Sequence, residues 1–530
     1  MRPGLDRSPI SATSPADRPQ VLTPRVNRVH TGIRRLSTRA TYVVVGAAVV
    51  MGVLLRVPFL HHGAYPDEGG MLVVAREWHT GGPYLYGDFF LARPPLIMAI
   101  FRLAGELGGI LAVRVMGLGM VAIVVASAAW AGASLSGRRG AVTAAAVSAA
   151  FLTNPMLGSH EVDAETVGLP FGMTAVACLL AAHGRPRGSR ARAWLLVAGG
   201  ALAVGALLAK QNLADSLAFG VVLVVGSALA EREDRRAAFT DVAWLGLGIA
   251  VPVVATLVWA ATASAGVHEL GYELYGFRAQ GGQAVLSQPT SAQNERLDTL
   301  VESSIRSGLV LVVLASLWLL RRRFWRDPVT LALLAMLMTA LVGVAGGGQY
   351  WIHYALGMVP VTALLAAYAV GKVAAPRLLG ALVASSVVIS GWHVFTGWQD
   401  RRPTDQSWVG GTTVWLDQVK RPGDTMVVLF GQAALYETSR IHPAYPFMWS
   451  LPMRVLDPDL ADLRGLLSGA DAPTFVLAPT PLDAWDLDPQ GLVQQTLDEH
   501  YQRVATVCGT PVYLRNGVER PSVPPPSSCE

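Results

Sequence analysis

The 530 residues carry 42 Lys and Arg against 37 Asp and Glu, a net charge of +5, yet only 15% of them are charged and 52% are apolar. A soluble chain holds about a quarter charged residues, so this composition excludes an ordinary soluble protein. The mean hydropathy of +0.40 and the gathering of apolar residues into long blocks indicate an integral membrane protein. Lys210, Lys372 and Lys420 are the only lysines. The Arg bias, with abundant Ala, Gly and Val, reflects a GC-rich, bacterial genome and gives no support to nucleic-acid binding.

Residues 1–40 are rich in Arg, Ser, Thr and Pro with no apolar run, which predicts a disordered cytoplasmic tail. Tyr42 to Leu60 follows as an uncleaved signal anchor, with Arg56 snorkelling to the interface. Further candidate spans lie at 111–134, 141–157, 166–183, 194–209, 213–230, 242–262, 309–320, 328–345, 355–371 and 378–395, about eleven in all, so the two chain ends fall on opposite sides. Every second loop is basic: Arg138-Arg139, then Arg185 to Arg192, then Arg232 to Arg236, then Arg321 to Arg326, then Lys372 and Arg377. Basic loops stay in the cytoplasm, so the alternation sets the register and puts the chain in the bacterial plasma membrane with its N-terminus cytoplasmic. The loop 61–110, the short loops around His160 and Lys210, the loop 263–308 and the turn 346–353 then face outward, closing a transmembrane domain over 41–396. Residues 397–519 alternate short β-like runs (Thr425 to Phe430, Thr474 to Ala478, Val512 to Leu514) with helix-compatible stretches, an extracytoplasmic α/β domain. The Pro-rich end, 520–530, reads as a disordered tail. Cys178, Cys508 and Cys529 are too scattered for a zinc motif; Cys508 and Cys529 can pair on an oxidising face, and two unpaired thiols are an equal alternative.

The chemistry-bearing residues concentrate in the outward loops. Asp67 and Glu68 adjoin the end of the first span, where an ionisable pair is costly unless used or paired. Arg93-Pro94-Pro95 makes a rigid turn at the start of an apolar helix that can hold a guanidinium toward a phosphate. Asp163 lies among His160, Glu161 and Glu165. Carboxylates and imidazole suit divalent ions, which makes Asp67, Asp163 and His160 a candidate metal set for Mg, Mn, Ca or Zn. Helix capping is the plain alternative for Asp163. Lys210 falls in an otherwise apolar outer turn, and His353 and Tyr354 sit among interfacial aromatics; with Arg93 they are candidates for binding a phosphate.

Taken together, Asp67-Glu68, the Gly-x-x-Tyr segment Gly81 to Tyr84, and the basic-Pro-Pro-Leu turn Arg93 to Leu96 resemble the first loop of GT-C type glycosyltransferases. The resemblance is to the family 39, dolichyl-phosphate-mannose-protein mannosyltransferase-like group that includes the lipid A aminoarabinose transferases. Thr153-Asn154-Pro155 leading to Asp163, Ala209-Lys210-Gln211 and His353-Tyr354 agree with it, whereas Arg93 replaces the usual Lys and alters its geometry. The resemblance implies a polytopic α-helical fold and an inverting transfer of a hexose or pentose from a polyprenyl-phosphate donor, a membrane lipid, to a cell-envelope glycan, lipid or protein on the outer face. Asp67 would be the base, with Glu68 orienting it or helping to hold a cation. Asp163 would be the second catalytic carboxylate, Arg93, Lys210, His353 and Tyr354 would hold the donor phosphate, and Tyr84 and Arg278 would contact sugar or acceptor. A multi-span transporter and a non-catalytic cell-envelope assembly protein are the competing readings. Polar residues cluster in loops instead of mid-span and no inverted repeat is evident, which weighs against the transporter.

Overall fold

The computed structural model describes residues 37–230, 234–263, 265–287, 291–321, 327–372, 407–484, 487–526 and 529, with helical pieces between 380 and 395. Residues 1–36 of the expected tail lie outside the described residues, and the candidate span 378–395 is described only in part.

Helix α1 (Thr38–Leu54) starts at Ser37, whose hydroxyl accepts from the Ala40 N–H at 3.1 Å. The first loop carries two helices of its own, α2 (Pro66–Arg76) and α3 (Pro95–Leu107), each with Pro at its first position, where the missing N–H costs nothing. Helix α4 (Ile110–Leu152) is continuous in chain but not in direction. Ser136 and Gly137 leave helical geometry, Gly137 at φ +60°, and a Cβ on Gly132 would sit 2.3 Å from the Gly140 carbonyl oxygen. Eight residues of straight helix would separate them by about 12 Å, so α4 is an antiparallel hairpin that only glycine lets close. Its arms match the predicted spans 111–134 and 141–157.

The remaining helices are α5 (Ala164–His183), α6 (Arg190–Ala209), α7 (Asp215–Ala230), α8 (Arg235–Thr262), α9 (Gly266–Gly271), α10 (Phe277–Ser287), α11 (Ser291–Arg306), α12 (Leu309–Leu320), α13 (Pro328–Ala345) and α14 (Val359–Lys372). Seven helices among the described residues are long and apolar enough to cross a membrane, eight if the bent pair Gln293–Arg306 and Leu309–Leu320 is one span. This is a multi-pass membrane protein. The expectation of about eleven spans counts the arms of α4 separately and adds α7, α12 and the partly described 378–395. The aliphatic core runs through α4, α5, α13 and α14, while Val43, Val254, Leu314 and Val342 face outward on α1, α8, α12 and α13, as lipid-facing surfaces do.

After the membrane helices, Ser407–Val419 leads into a five-stranded sheet of order β2-β1-β3-β5-β4, from β1 (Thr425–Val428), β2 (His442–Pro443), β3 (Phe475–Leu477), β4 (Tyr501–Val507) and β5 (Thr510–Arg515). β2, β1 and β3 are parallel (Val427 opposite Val476), and β5 and β4 join antiparallel (Val476 opposite Tyr513). The α/β expectation holds, and the three expected strands coincide with β1, β3 and β5. The tail expected to be disordered from Pro521 is instead held against this domain over its described residues: Cys508 and Cys529 form a disulfide, the Trp415 indole donates to the Val523 carbonyl at 3.0 Å, and Arg520 pairs with Asp424.

Candidate active site

Adjacent residues on a helix point about 100° apart, and this separates the two carboxylates that open α2. Glu68 is fully buried. Its Oε2 accepts from Arg114 Nη2 at 2.7 Å and its Oε1 from the Val162 N–H at 2.9 Å, while Arg114 also donates to the His62 and Gly63 carbonyls at 2.6 and 2.8 Å. Glu68, expected to orient Asp67 or to help hold a cation, is thus committed on both oxygens to fastening the first loop to α4 and to the segment before α5. Asp67 points the other way and keeps 26% of its side chain exposed. Its Oδ2 accepts from Arg93 at 2.8 Å and its Oδ1 from the Trp449 indole at 3.0 Å. Burial alone would raise the Asp67 carboxyl, but Arg93, His353, the Trp449 hydrogen bond and Lys210 together hold it below its usual range.

The Arg93 turn is as rigid as the two prolines imply. The Arg93 N–H donates to Leu91 and the Tyr86 hydroxyl to the Arg93 carbonyl. The neighbouring Ala92 carbonyl accepts from Arg278 at 2.9 Å and from Gln211 at 3.3 Å, which brings the start of α10 and the turn before α7 onto the first loop. Burial and then Arg93 pull Arg278 down to about 10, so it remains a cation at neutral pH.

A second group adjoins the first. Asp163 caps α5, its Oδ1 accepting from the Thr166 N–H at 2.8 Å. Its Oδ2 is buried, makes no hydrogen bond and lies 3.6 Å from His353 Nδ1, which is 3.0 Å from Glu161. The capping and functional readings of Asp163 therefore both have a place, one on each oxygen. Burial pushes Asp163 up to about 7 against the pull of His353, with Glu165 and Glu161 adding to the rise. Glu161, Asp163 and His353 each offer a ligand atom within 4.8 Å of the others. An orphaned carboxylate oxygen among two further O and N donors fits a divalent ion. Lys210 pairs with Glu165 and stands 4.0 Å over the Tyr354 ring.

Of the residues singled out in the sequence, Asp67 and Arg93 touch, Arg278 and Lys210 adjoin them through Ala92 and Gln211, and Asp163 and His353 form the second group with Tyr354 beside Lys210. His160 is elsewhere. Its ring packs on Tyr65 and Phe59 at 5.1 and 6.1 Å, and burial followed by Arg56 pushes it down to about 4. Val162 turns into the core against Gly117, which leaves Glu161, not His160, on the side of Asp163. The expected metal set Asp67, Asp163 and His160 is therefore not brought together; Glu161 and His353 are the partners of Asp163. Tyr84 joins an aromatic cluster with Phe90 and Phe447 at 5.5 and 6.1 Å and makes no hydrogen bond to the Asp67 group among the described residues. Arg56 does not snorkel: it is buried and donates to the Glu161 carbonyl at 2.9 Å. Trp449 gave no sequence signal, whereas Arg114, an arginine inside an apolar helix, carried the mark of a residue with a buried partner.

No protein-family model and no curated protein matches the chain. Solved structures do. ArnT from Cupriavidus metallidurans bound to undecaprenyl phosphate is 18% identical with a TM-score of 0.61, over 90% of this chain and 98% of that one. The Archaeoglobus fulgidus oligosaccharyltransferase in complex with Zn and sulfate is 13% identical with a TM-score of 0.55, over 89% of this chain and 73% of that one. The architecture is the GT-C fold. At such identities the fold alone is shared, and the chemistry rests on the residues of this chain.

Proposed function

We propose that this protein is an inverting membrane glycosyltransferase that moves a sugar from a polyprenyl phosphate to a cell-envelope acceptor on the outer face of the bacterial plasma membrane. The observation that carries the reading is the contact of the part-exposed carboxylate of Asp67 with Arg93 at 2.8 Å, with the cations Lys210 and Arg278 close enough to act on that pair. A single displacement needs both elements in one site, a base at the acceptor hydroxyl on one face of the anomeric carbon and positive charge at the leaving phosphate on the other. The acceptor oxygen attacks the anomeric carbon, the bond from that carbon to the phosphate oxygen breaks, and the acceptor proton passes to Asp67, ionised at neutral pH. Arg93, Arg278 and Lys210, with Tyr354 beside it, balance the charge on the departing polyprenyl phosphate, and the bidentate reach of Arg suits phosphate. Both structural neighbours support the donor class: ArnT was solved with undecaprenyl phosphate, and the oligosaccharyltransferase with sulfate, an anion of phosphate shape.

Glu161, Asp163 and His353 would hold a divalent cation, which when bound supplies positive charge near the leaving phosphate. In this reading a transmembrane catalytic unit spans 41–396 and an α/β unit over 397–519 lies on the outer side, with the N-terminus cytoplasmic. The test is transfer of radiolabelled sugar from a panel of polyprenyl-phosphate monosaccharides into membrane extract by the normal chain and by Asp67→Asn. Label moved only by the normal chain is expected; equal label from both would sink the assignment of Asp67.

A further inference from the structure

The C-terminal domain reaches the reacting carboxylate itself. The segments on either side of β2 lie along the first loop: the Phe90 N–H donates to the Pro446 carbonyl at 3.1 Å, the Phe90 and Tyr84 rings meet Phe447, and, before β2, Arg76 pairs with buried Glu437 at 2.5 Å. The two glycines that follow Asp67 and Glu68 admit the domain. A Cβ on Gly69 would stand 2.6 Å from Ala434 Cα, and one on Gly70 would stand 2.3 Å from Trp449 Cζ2 and 2.7 Å from Ala433 Cβ. With no side chain in the way, the indole rests on the first turn of α2 and its Nε1–H meets Asp67 Oδ1 at 3.0 Å. Arg93 holds the other oxygen. A part-exposed carboxylate with a single partner rotates about its last bond, whereas one held at both oxygens by donors from two different domains has its plane fixed.

We infer that Trp449 is a positioning residue for Asp67, and that the site is complete only when the C-terminal domain is docked on α2. The inference rests on the reading of Asp67 as the base. Its test replaces Trp449 with 3-benzothienylalanine, which keeps the ring in place and puts sulfur where the N–H was. With donors drawn from a panel of undecaprenyl-phosphate monosaccharides, kcat falls by roughly tenfold or more, the size of a lost hydrogen bond to a charged group, while KM for the donor stays within about twofold. An unchanged kcat would overturn the inference, and so would a loss confined to KM.

A second readout needs no transfer. In protein labelled with 15N at the indoles, the resonance missing from Trp449→Phe belongs to Trp449, and it shifts in Asp67→Asn. If it does not shift, the contact is absent and the inference fails whatever the enzyme does. A shifted resonance in a chain that transfers no sugar from any donor would instead remove the transferase reading, and with it the positioning role, while the contact stood.

Discussion

Asp67 and Glu68 are neighbours in sequence with the same charge, and the structure gives them opposite duties, so their neutral replacements fail in different ways. Glu68→Gln leaves Arg114 a buried cation facing an amide that offers it two donors where it had an anion. Breaking a buried pair in this manner costs about 3–5 kcal/mol. Arg114 keeps the His62 and Gly63 carbonyls and the Gln oxygen still accepts from the Val162 N–H, which places the loss at about 3 kcal/mol, the low end of that range. Asp67→Asn disturbs a part-exposed ion pair, whose worth is on the order of 1 kcal/mol or less. Thermal unfolding of the purified protein in nanodiscs, followed by intrinsic tryptophan fluorescence, therefore shows a clearly lowered midpoint for Glu68→Gln and one close to normal for Asp67→Asn. Per folded molecule, transfer is lost in Asp67→Asn and largely kept in Glu68→Gln. A Glu68→Gln protein that melts like the parent and transfers no sugar would refute the division of labour.

Gly70→Ala places a methyl 2.3 Å from the Trp449 ring; the domain lifts from α2, and the Trp449 indole resonance shifts while transfer falls. Glu273 is fully buried, accepts from the Leu85 N–H at 2.8 Å and is pushed up to about 8 by burial, with Glu269 adding. Because its folded value lies above the unfolded one, the stability tied to its proton is present below about pH 4.5 and is lost as pH rises toward 8, roughly 5 kcal/mol in total at 1.36 kcal/mol per unit. Unfolding midpoints between pH 5 and 9 should decline in the parent and stay flat in Glu273→Gln; parallel curves would contradict the assignment. Reducing the Cys508–Cys529 bond, which closes a separation of 21 residues, costs the C-terminal domain about 3 kcal/mol by the chain-entropy relation, read as a lower denaturant midpoint with dithiothreitol than without. A divalent ion raises the unfolding midpoint of the parent and not of Asp163→Asn; a midpoint indifferent to Zn, Mn, Mg and Ca would remove the Glu161, Asp163 and His353 site.

What the sequence revealed depended on how far each partner lies along the chain. The spans, their basic loops and strands β1, β3 and β5 are written in local periodicity, which needs no knowledge of distant residues, and the GT-C fold is expected from the resemblance of the Asp67 and Arg93 motifs to that group's first loop. The hairpin at Ser136 and Gly137 was legible for the same reason, because Arg138-Arg139 interrupts the apolar run within a few residues of the turn. The site is a different matter. Which of His160, Glu161 and Asp163 face together depends on where Val162 finds its pocket against Gly117, and that pocket belongs to another helix. Whether Glu68 or Asp67 is free depends on Arg114, 46 residues away, and the donor to Asp67 comes from Trp449, separated by 382 residues. A single chain records the presence of costly residues but not their partners. The one trace of the Trp449 contact in the sequence is the pair Gly69-Gly70, two residues of low helix propensity inside a helix. Glycine there weakens α2 by roughly 1 kcal/mol at each position, a cost with no local return. Contact with Ala433, Ala434 and Trp449 supplies the return, so an unexplained glycine pair beside a part-exposed carboxylate marks the place where another domain must come close.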